Sequence, residues 1–297
     1  MVYTVTLNPA LDYVLGLERF STKDINRAES EQIFIGGKGI NVSAVLCELD
    51  TDNIALGIAA GFTGNHLISL MNEQGIKNDF VLQNEGATRI NVKLRADKEM
   101  DINAKGPFIT AQSVSEFLNK IDGIADGDWL VLSGSLPKGV DGDVYSVICE
   151  RVRAKNIRIV ADTTGDKLLG ILKYSPYLIK PNHHELGELF STDIKDKEDA
   201  IKYAEKLREM GAVNVLVSCG AEGSVFVGAN GERRQRDAVK GKLINSVGCG
   251  DSMVAGFIAG MEEYGDTLKA YNLAVAAASA TAFSEGLATK DEIYKYV

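Results

Sequence analysis

Short β-branched runs alternate with stretches of helical periodicity along nearly the whole chain, and this alternation limits the fold more than any other feature. Val2 to Leu7 reads as a first strand, ended by Asn8-Pro9. Val42, Val45, Leu46 and Leu49 recur at the spacing of an amphipathic helix. Ile54 to Ala59 is an apolar strand, and Leu67, Leu70 and Met71 mark a helix that Gly75 stops. Strands follow at Trp129 to Leu132, Arg158 to Ala161, Tyr177 to Ile179 and Val213 to Val217, with helices over Val144 to Ala154 and Ala200 to Met210. Asn230-Gly231 is a hairpin turn signal, and two helical patterns, Gly250 to Tyr264 and Thr267 to Phe283, close the chain. Alternation of this kind predicts an α/β fold with a mostly parallel sheet covered on both faces by helices. Ligands of such sheets collect at the carboxyl ends of the strands.

One stretch breaks the pattern. Thr88 to Leu94 and Met100 to Asn103 alternate around Ala-Asp-Lys-Glu, a charged hairpin thin in apolar residues. It belongs outside the main core, as a flap. No internal repeat and no long linker occurs, so residues 1–297 are expected to form one domain.

The formal charge is −9, from 32 basic and 41 acidic residues, which argues against a nucleic-acid partner. No apolar run is long enough to span a bilayer, and the N-terminus lacks the positive start of a signal peptide; neither a membrane association nor export is expected. Cys47, Cys149, Cys219 and Cys249 form no C-x-x-C pair, so they read as reduced thiols of a cytoplasmic protein.

Three motifs carry chemistry. In Asn245-Ser-Val-Gly-Cys-Gly-Asp251-Ser252, two glycines precede a helix, whose free N–H groups and positive dipole end make an anion cradle. Asp251 reads either as a helix-capping residue or as a base beside that cradle, a layout for phosphoryl transfer to an alcohol. No Walker A loop and no dinucleotide fingerprint is present. Gly36-Gly-Lys-Gly-Ile-Asn41, at a second loop-to-helix junction, offers Lys38 as a local cation and Asn41 as a partner for a polyol. In Lys180-Pro-Asn-His-His-Glu185, Asn182 and Glu185 read either as a capping box or as ligands of a hydrated Mg²⁺, with the capping box favoured by spacing alone. His183 and His184 are adjacent and read as surface residues.

Taken in order, these motifs resemble the ribokinase-like carbohydrate kinases of the phosphofructokinase-B family. The resemblance runs from Thr6-Leu-Asn-Pro-Ala-Leu-Asp12 through Thr88-Arg-Ile-Asn-Val-Lys93, Ser133-Gly-Ser-Leu-Pro137, Asp162-Thr-Thr-Gly165 and Ser218-Cys-Gly-Ala-Glu-Gly223 to the final glycine junction, essentially the whole chain. It implies a ribokinase-like fold with a small β-sheet lid built from segments near 12–36 and 87–106, with ATP and Mg²⁺ as cofactors. It implies Asp251 as catalytic base, with Val247, Gly248, Cys249 and Gly250 forming the anion hole. Asp12, Gly37 and Asn41 would hold sugar hydroxyls, and Lys38, Arg89 and Ser135 would lie near the sugar phosphate. Ser218, Cys219, Gly220, Ala221, Glu222 and Gly223 match the nucleotide-phosphate loop. Lys180 and Asn182 fall with the nucleotide and its metal, Glu185 with Mg²⁺, and Asn272 and Ser279 near the adenine. Within the family the blocks are most similar to members acting on fructose 1-phosphate, with tagatose 6-phosphate as the alternative. The partners implied are a phosphosugar and a nucleotide, with a homodimer through the lid. A non-catalytic sugar-phosphate sensor is the rival of another class, and the retained Asp251, glycines and N-x-x-E speak against it. Cys249 stands where the family often has alanine or serine. At a helix N-terminus its thiol is expected to have a lowered pKa, and its alkylation to block turnover.

Overall fold

A computed structural model describes residues 1–97 and 99–297 of the chain. Lys98, in the turn of the expected flap, lies outside the described residues. In chain order the first elements are β1 (Val2–Thr6), β2 (Ala10–Gly16), β3 (Ser30–Gly36), α1 (Lys38–Glu48), β4 (Asn53–Ala60), α2 (Gly61–Glu73), β5 (Asn78–Gln83), β6 (Arg89–Arg95) and β7 (Glu99–Ile102). Next come α3 (Ala111–Asp122), β8 (Trp129–Ser133), α4 (Val144–Val152), β9 (Arg158–Asp162), α5 (Gly165–Leu172), β10 (Leu178–Ile179), α6 (His183–Phe190) and α7 (Lys197–Glu209). The chain ends with β11 (Asn214–Ser218), β12 (Ser224–Val227), β13 (Arg233–Arg236), α8 (Cys249–Tyr264), α9 (Thr267–Ala282) and α10 (Lys290–Tyr294).

Nine strands form one sheet in the order β13-β12-β11-β10-β9-β8-β1-β4-β5, parallel from β11 to β5 and antiparallel over β11, β12 and β13. Successive strand residues point to opposite faces, so each central strand feeds two cores. Leu130, Leu132, Ile159, Val215 and Val217 pack toward the layer that holds α3, α4, α5 and α7. Trp129, Val131, Val160 and Leu216 pack toward α1, α8 and α9. The parallel fold with helices on both faces is therefore as expected from the alternation.

The expected hairpin of Thr88 to Asn103 is present as β6 and β7, paired antiparallel. It lies outside the large sheet, in a second sheet of order β3-β2-β6-β7. Ser30 to Ile35 joins that sheet as β3. Asn8-Pro9 lies between β1 and β2, as a strand end there requires, and the chain turns directly into β2, which pairs in parallel with β6. The helices α3 and α5 were not expected, and β10 is two residues long.

Helix α8 is buried along most of its length and packs against α9. Its Gly256 and Gly260 permit the close approach. A Cβ on Gly260 would lie 2.6 Å from the Ala270 Cα, and one on Gly256 would lie 2.7 Å from the Leu273 carbonyl oxygen. This pairing anchors the helix whose N-terminus carries Asp251. Among the described residues, no helix is long and apolar enough to cross a membrane.

Candidate active site

The carboxyl ends of the central parallel strands bring the motifs together. Asn8 follows β1, Ser135 follows β8, Asp162 ends β9, Lys180 follows β10 and Ser218 ends β11.

Gly248 is the N-cap of α8, with φ +82°, a left-handed conformation open to glycine. Among the described residues no side chain caps the helix, and its first backbone bond runs from Ser252 N–H to the Gly248 carbonyl at 2.8 Å. The N–H groups of residues 248–251 therefore point outward as an anion cradle. Val247 is not part of it, because its N–H donates to Asn245 Oδ1 at 2.9 Å. Asp251 does not cap the helix. It lies in the first turn, 5% exposed, and its Oδ2 accepts from Asn41 Nδ2 at 2.7 Å. Burial, and then the negative charge of Asp162, push its carboxyl up to about 7, against the pull of Asn41, Lys38 and Lys180. A carboxyl balanced near neutrality is suited to accept a proton.

Asp162 is a site residue that spacing did not single out. It is fully buried and holds Lys38 Nζ at 3.2 Å and Lys180 Nζ at 3.4 Å through Oδ1. Burial opposes its charge, but the ammonium groups of Lys180 and Lys38 outweigh burial and hold its pKa below the ordinary value. Burial likewise opposes the charge of Lys38, and Asp162, Asp251 and Glu185 more than offset that. Lys180 reaches the cradle itself, since a Cβ on Gly250 would lie 3.1 Å from its Nζ. Two cations thus flank the free N–H groups in an acidic protein. The signal available in sequence was an acid at the end of an apolar parallel strand, Arg-Ile-Val-Ala-Asp162.

A second cluster sits where the small sheet meets β1. Arg89 donates through Nε and Nη2 to the Asn8 carbonyl at 3.2 and 3.0 Å, and through Nη1 to the Ala104 carbonyl at 3.2 Å. Asn8 Nδ2 donates to Ser135 Oγ at 3.1 Å and to the Lys105 carbonyl at 3.3 Å. Burial pulls the Arg89 guanidinium below its ordinary pKa, against the charge of Asp12. Arg89 and Ser135 are thus brought together, whereas the Lys38 ammonium is directed to Asp162. Asp12, on β2, accepts from Asn91 Nδ2 at 2.8 Å and pairs with Lys93 Nζ at 3.1 Å. Asn8, Asn91 and Lys93 were not among the expected site residues, although Asn91 and Lys93 share the Asp12 face of the small sheet by strand alternation. Gly37, with φ +130°, is the N-cap of α1 and starts the helix that carries Lys38 and Asn41.

The expected nucleotide loop follows β11. Gly220 to Glu222 form one short 3-10 turn, closed by Cys219 N–H donating to the Gly223 carbonyl at 2.8 Å. Asn182 and Glu185 make the capping box: Glu185 N–H donates to Asn182 Oδ1, and Asn182 N–H to Glu185 Oε2, both at 2.8 Å. His184 is exposed, but His183 is half-buried, with Nδ1 3.4 Å from the Ser218 carbonyl. On α9, Asn272 is exposed and accepts from Arg236 Nη1 at 3.0 Å, while the Ser279 hydroxyl donates to the Val275 carbonyl at 2.7 Å. The thiol expectation is corrected. Burial, followed by the neighbouring Asp251 charge, pushes Cys249 up to about 11, so the helix terminus does not activate it. Cys219 is buried and also raised, by burial first.

At the carboxyl ends of the parallel strands, a cradle of backbone N–H groups thus adjoins a buried carboxyl, an arrangement suited to passing an anionic group onto a hydroxyl oxygen. The pfkB family carbohydrate kinase model matches residues 5–293. The 1-phosphofructokinase of Bacillus subtilis is 42% identical over 98% of this chain and 95% of its own. The D-tagatose-1-phosphate kinase of Bacillus licheniformis is 38% identical over 97% of this chain and 94% of its own. A crystal structure of phosphofructokinase-2 from Escherichia coli, in complex with substrates and products, superposes with a TM-score of 0.94 at 27% identity, covering 99% of this chain and 97% of that one. The chain belongs to the pfkB family of carbohydrate kinases.

Proposed function

We propose that this kinase transfers the γ-phosphoryl group of ATP to the C6 hydroxyl of fructose 1-phosphate, giving ADP and fructose 1,6-bisphosphate. The observation that carries the reading is the junction at residues 248–251, where the buried Asp251 carboxyl adjoins the free backbone N–H groups of the helix start. In the transfer, Asp251 takes the C6 hydroxyl proton, the C6 oxygen bonds to the γ-phosphorus, and the bond from that phosphorus to the β–γ bridging oxygen breaks. The N–H groups of residues 248–251, with Lys180 and Lys38, bear the charge that builds on the phosphoryl oxygens. Arg89 and Ser135 hold the phosphate already on the sugar, and Asp12 and Gly37 face its hydroxyls. The loop 218–223 receives the nucleotide phosphates, with Asn272 and Ser279 on the adenine side.

Mg²⁺ fits this site through water rather than in a cage of side chains. Among the described residues, no three acidic, His or Cys groups converge on one point. Among the described residues, Asp162 Oδ2 is buried without a hydrogen-bond partner, and the capping box holds Glu185 close enough for its charge to act on Lys38. Glu185 and Asp162 would hold the hydrated ion, which when bound neutralises charge on the β- and γ-phosphates. The small sheet serves as the lid, with Asp12, Asn91 and Lys93 on its inner face. Its other face carries Tyr13, Ile33, Ile90, Val92, Met100 and Ile102, of which Ile33, Ile90, Met100 and Ile102 are exposed. A second copy of the chain would cover that face. Ile33→Lys with Ile102→Lys is expected to convert a sedimenting dimer to monomer; a wild-type chain that sediments as a monomer would discard the lid contact.

A second substrate reading follows from the relative named for D-tagatose 1-phosphate, a sugar that differs from fructose 1-phosphate only in configuration at C4. Initial rates with ATP and Mg²⁺ over fructose 1-phosphate, tagatose 1-phosphate, tagatose 6-phosphate and fructose 6-phosphate separate these readings. The highest kcat/KM is expected for fructose 1-phosphate. A tagatose phosphate leading the panel would replace the substrate, and no ADP release with any sugar would favour the sensor.

A further inference from the structure

We infer that Asn41 positions the Asp251 base, its amide holding one carboxylate oxygen so that the other is presented to the substrate hydroxyl. The inference rests on the kinase reading above and adds to it, since the resemblance gave Asn41 to the sugar. The bond from Asn41 Nδ2 to Asp251 Oδ2, 2.7 Å, is the only side-chain hydrogen bond that the described residues give Asp251. It joins two helices fixed independently of the ligand. Asn41 N–H bonds to the Gly37 carbonyl at 2.9 Å, and the adjoining Val42, Val45 and Leu46 are buried against the large sheet. Asp251 is fixed by α8, which packs on both α1 and α9. The amide also backs onto the cradle, because a Cβ on Gly248 would lie 3.9 Å from Asn41 Nδ2. With Oδ2 occupied, Oδ1 is the oxygen left to receive the proton.

The amide also acts on the proton affinity of the base. An amide N–H stabilises the ionised carboxylate and is lost to the neutral one. The charged and titratable groups that face Asp251 are Asp162 from the end of β9, Lys38 from α1, Lys180 from the loop after β10, and the neighbouring Cys249 thiol. Asp162 works against ionisation of Asp251, whereas Lys38, Lys180 and Asn41 favour it. Removing the amide therefore raises the proton affinity of the base. A residue that only held sugar hydroxyls would alter KM and leave that affinity in place.

The test is the pH dependence of kcat/KM for fructose 1-phosphate, at saturating ATP, in Asn41→Ala and in the isosteric Asn41→Asp. In Asn41→Ala the acidic limb is expected to move up by about one pH unit, with most of the lost rate returning in alkaline solution. In Asn41→Asp it is expected to move further, because a second carboxyl then faces the first. Limbs that coincide with the wild type, alongside a raised sugar KM alone, would overturn the inference and return Asn41 to the sugar. Asn41→Asp keeps the shape of the side chain and carries the test if the alanine variant does not fold. The underlying kinase reading fails separately, through an Asp251→Asn enzyme that keeps its kcat.

Discussion

Asp251→Asn is expected to lower kcat by about 10²–10⁴-fold, the usual loss when a general base is removed. The variant keeps the shape of the side chain, and its amide oxygen still accepts from Asn41. The KM for ATP should therefore change little, because the cradle, Lys180 and the loop 218–223 are untouched. The same substitution should stabilise the fold at neutral and alkaline pH. The folded-state pKa of Asp251 lies above its unfolded value, so ionisation favours the unfolded chain and stability falls as pH rises from 3.8 to about 7. A shift of that size corresponds to at most about 4 kcal/mol, and relaxation of the site reduces it. Urea denaturation at about pH 8, alongside steady-state rates, reads both effects. A variant with near-normal kcat would remove Asp251 from the chemistry.

Asp162→Ala is expected to have the largest effect on stability. It strips the buried Lys180 ammonium of its carboxylate partner and releases Lys38 from the same oxygen. Breaking a buried ion pair from one side costs about 3–5 kcal/mol, because the remaining charge stays desolvated. The sign of the pH dependence is opposite to that of Asp251. The pKa of Asp162 is depressed in the fold, so its contribution is complete above the unfolded value of 3.8 and is lost as pH falls through the lower folded pKa. Asp162→Asn should cost less, since it leaves an acceptor between the lysines. Both changes delete the negative charge that raises Asp251, so the acidic limb of the rate profile should move to lower pH. An Asp162→Ala enzyme with an unchanged urea midpoint would show that the two lysines do not depend on this carboxylate.

The fold was legible because it follows from local periodicity. Each β-branched run and each 3.6-residue pattern reports its own burial, and together they require a parallel sheet between two helical layers. The glycine junction at 248–251 was legible for a similar reason: the conformation, the free N–H groups and the acid all lie within one turn of chain. β2 was hidden by Pro9 and by the polar Asp12, whose partners Asn91 and Lys93 arrive from another strand. Asp162 carried too little local signal. Its partner Lys38 lies 124 residues away, and its role exists only once the end of β9 meets the start of α1. Asn41 and Asp251 are 210 residues apart, so spacing could offer Asn41 to a polyol but could not show that its amide would meet the carboxylate. The Cys249 expectation fails because burial, and then the nearby Asp251 charge, override the helix terminus. At Asn182 and Glu185, spacing favoured the capping box, and that box is present, with the Glu185 carboxylate accepting from the Asn182 N–H.

In the proposed reaction the buried Asp251 carboxylate receives the hydroxyl proton as phosphoryl transfer begins. The most direct test of that step is the single-turnover rate of fructose 1,6-bisphosphate formation by the wild-type kinase, followed by rapid quench between about pH 5.5 and 8.5. The rate should be low in acid, rise through a midpoint near 7 and level off above it, while Asp251→Asn stays slow throughout. A wild-type rate independent of pH across that range, with sugar and nucleotide saturating, would contradict it.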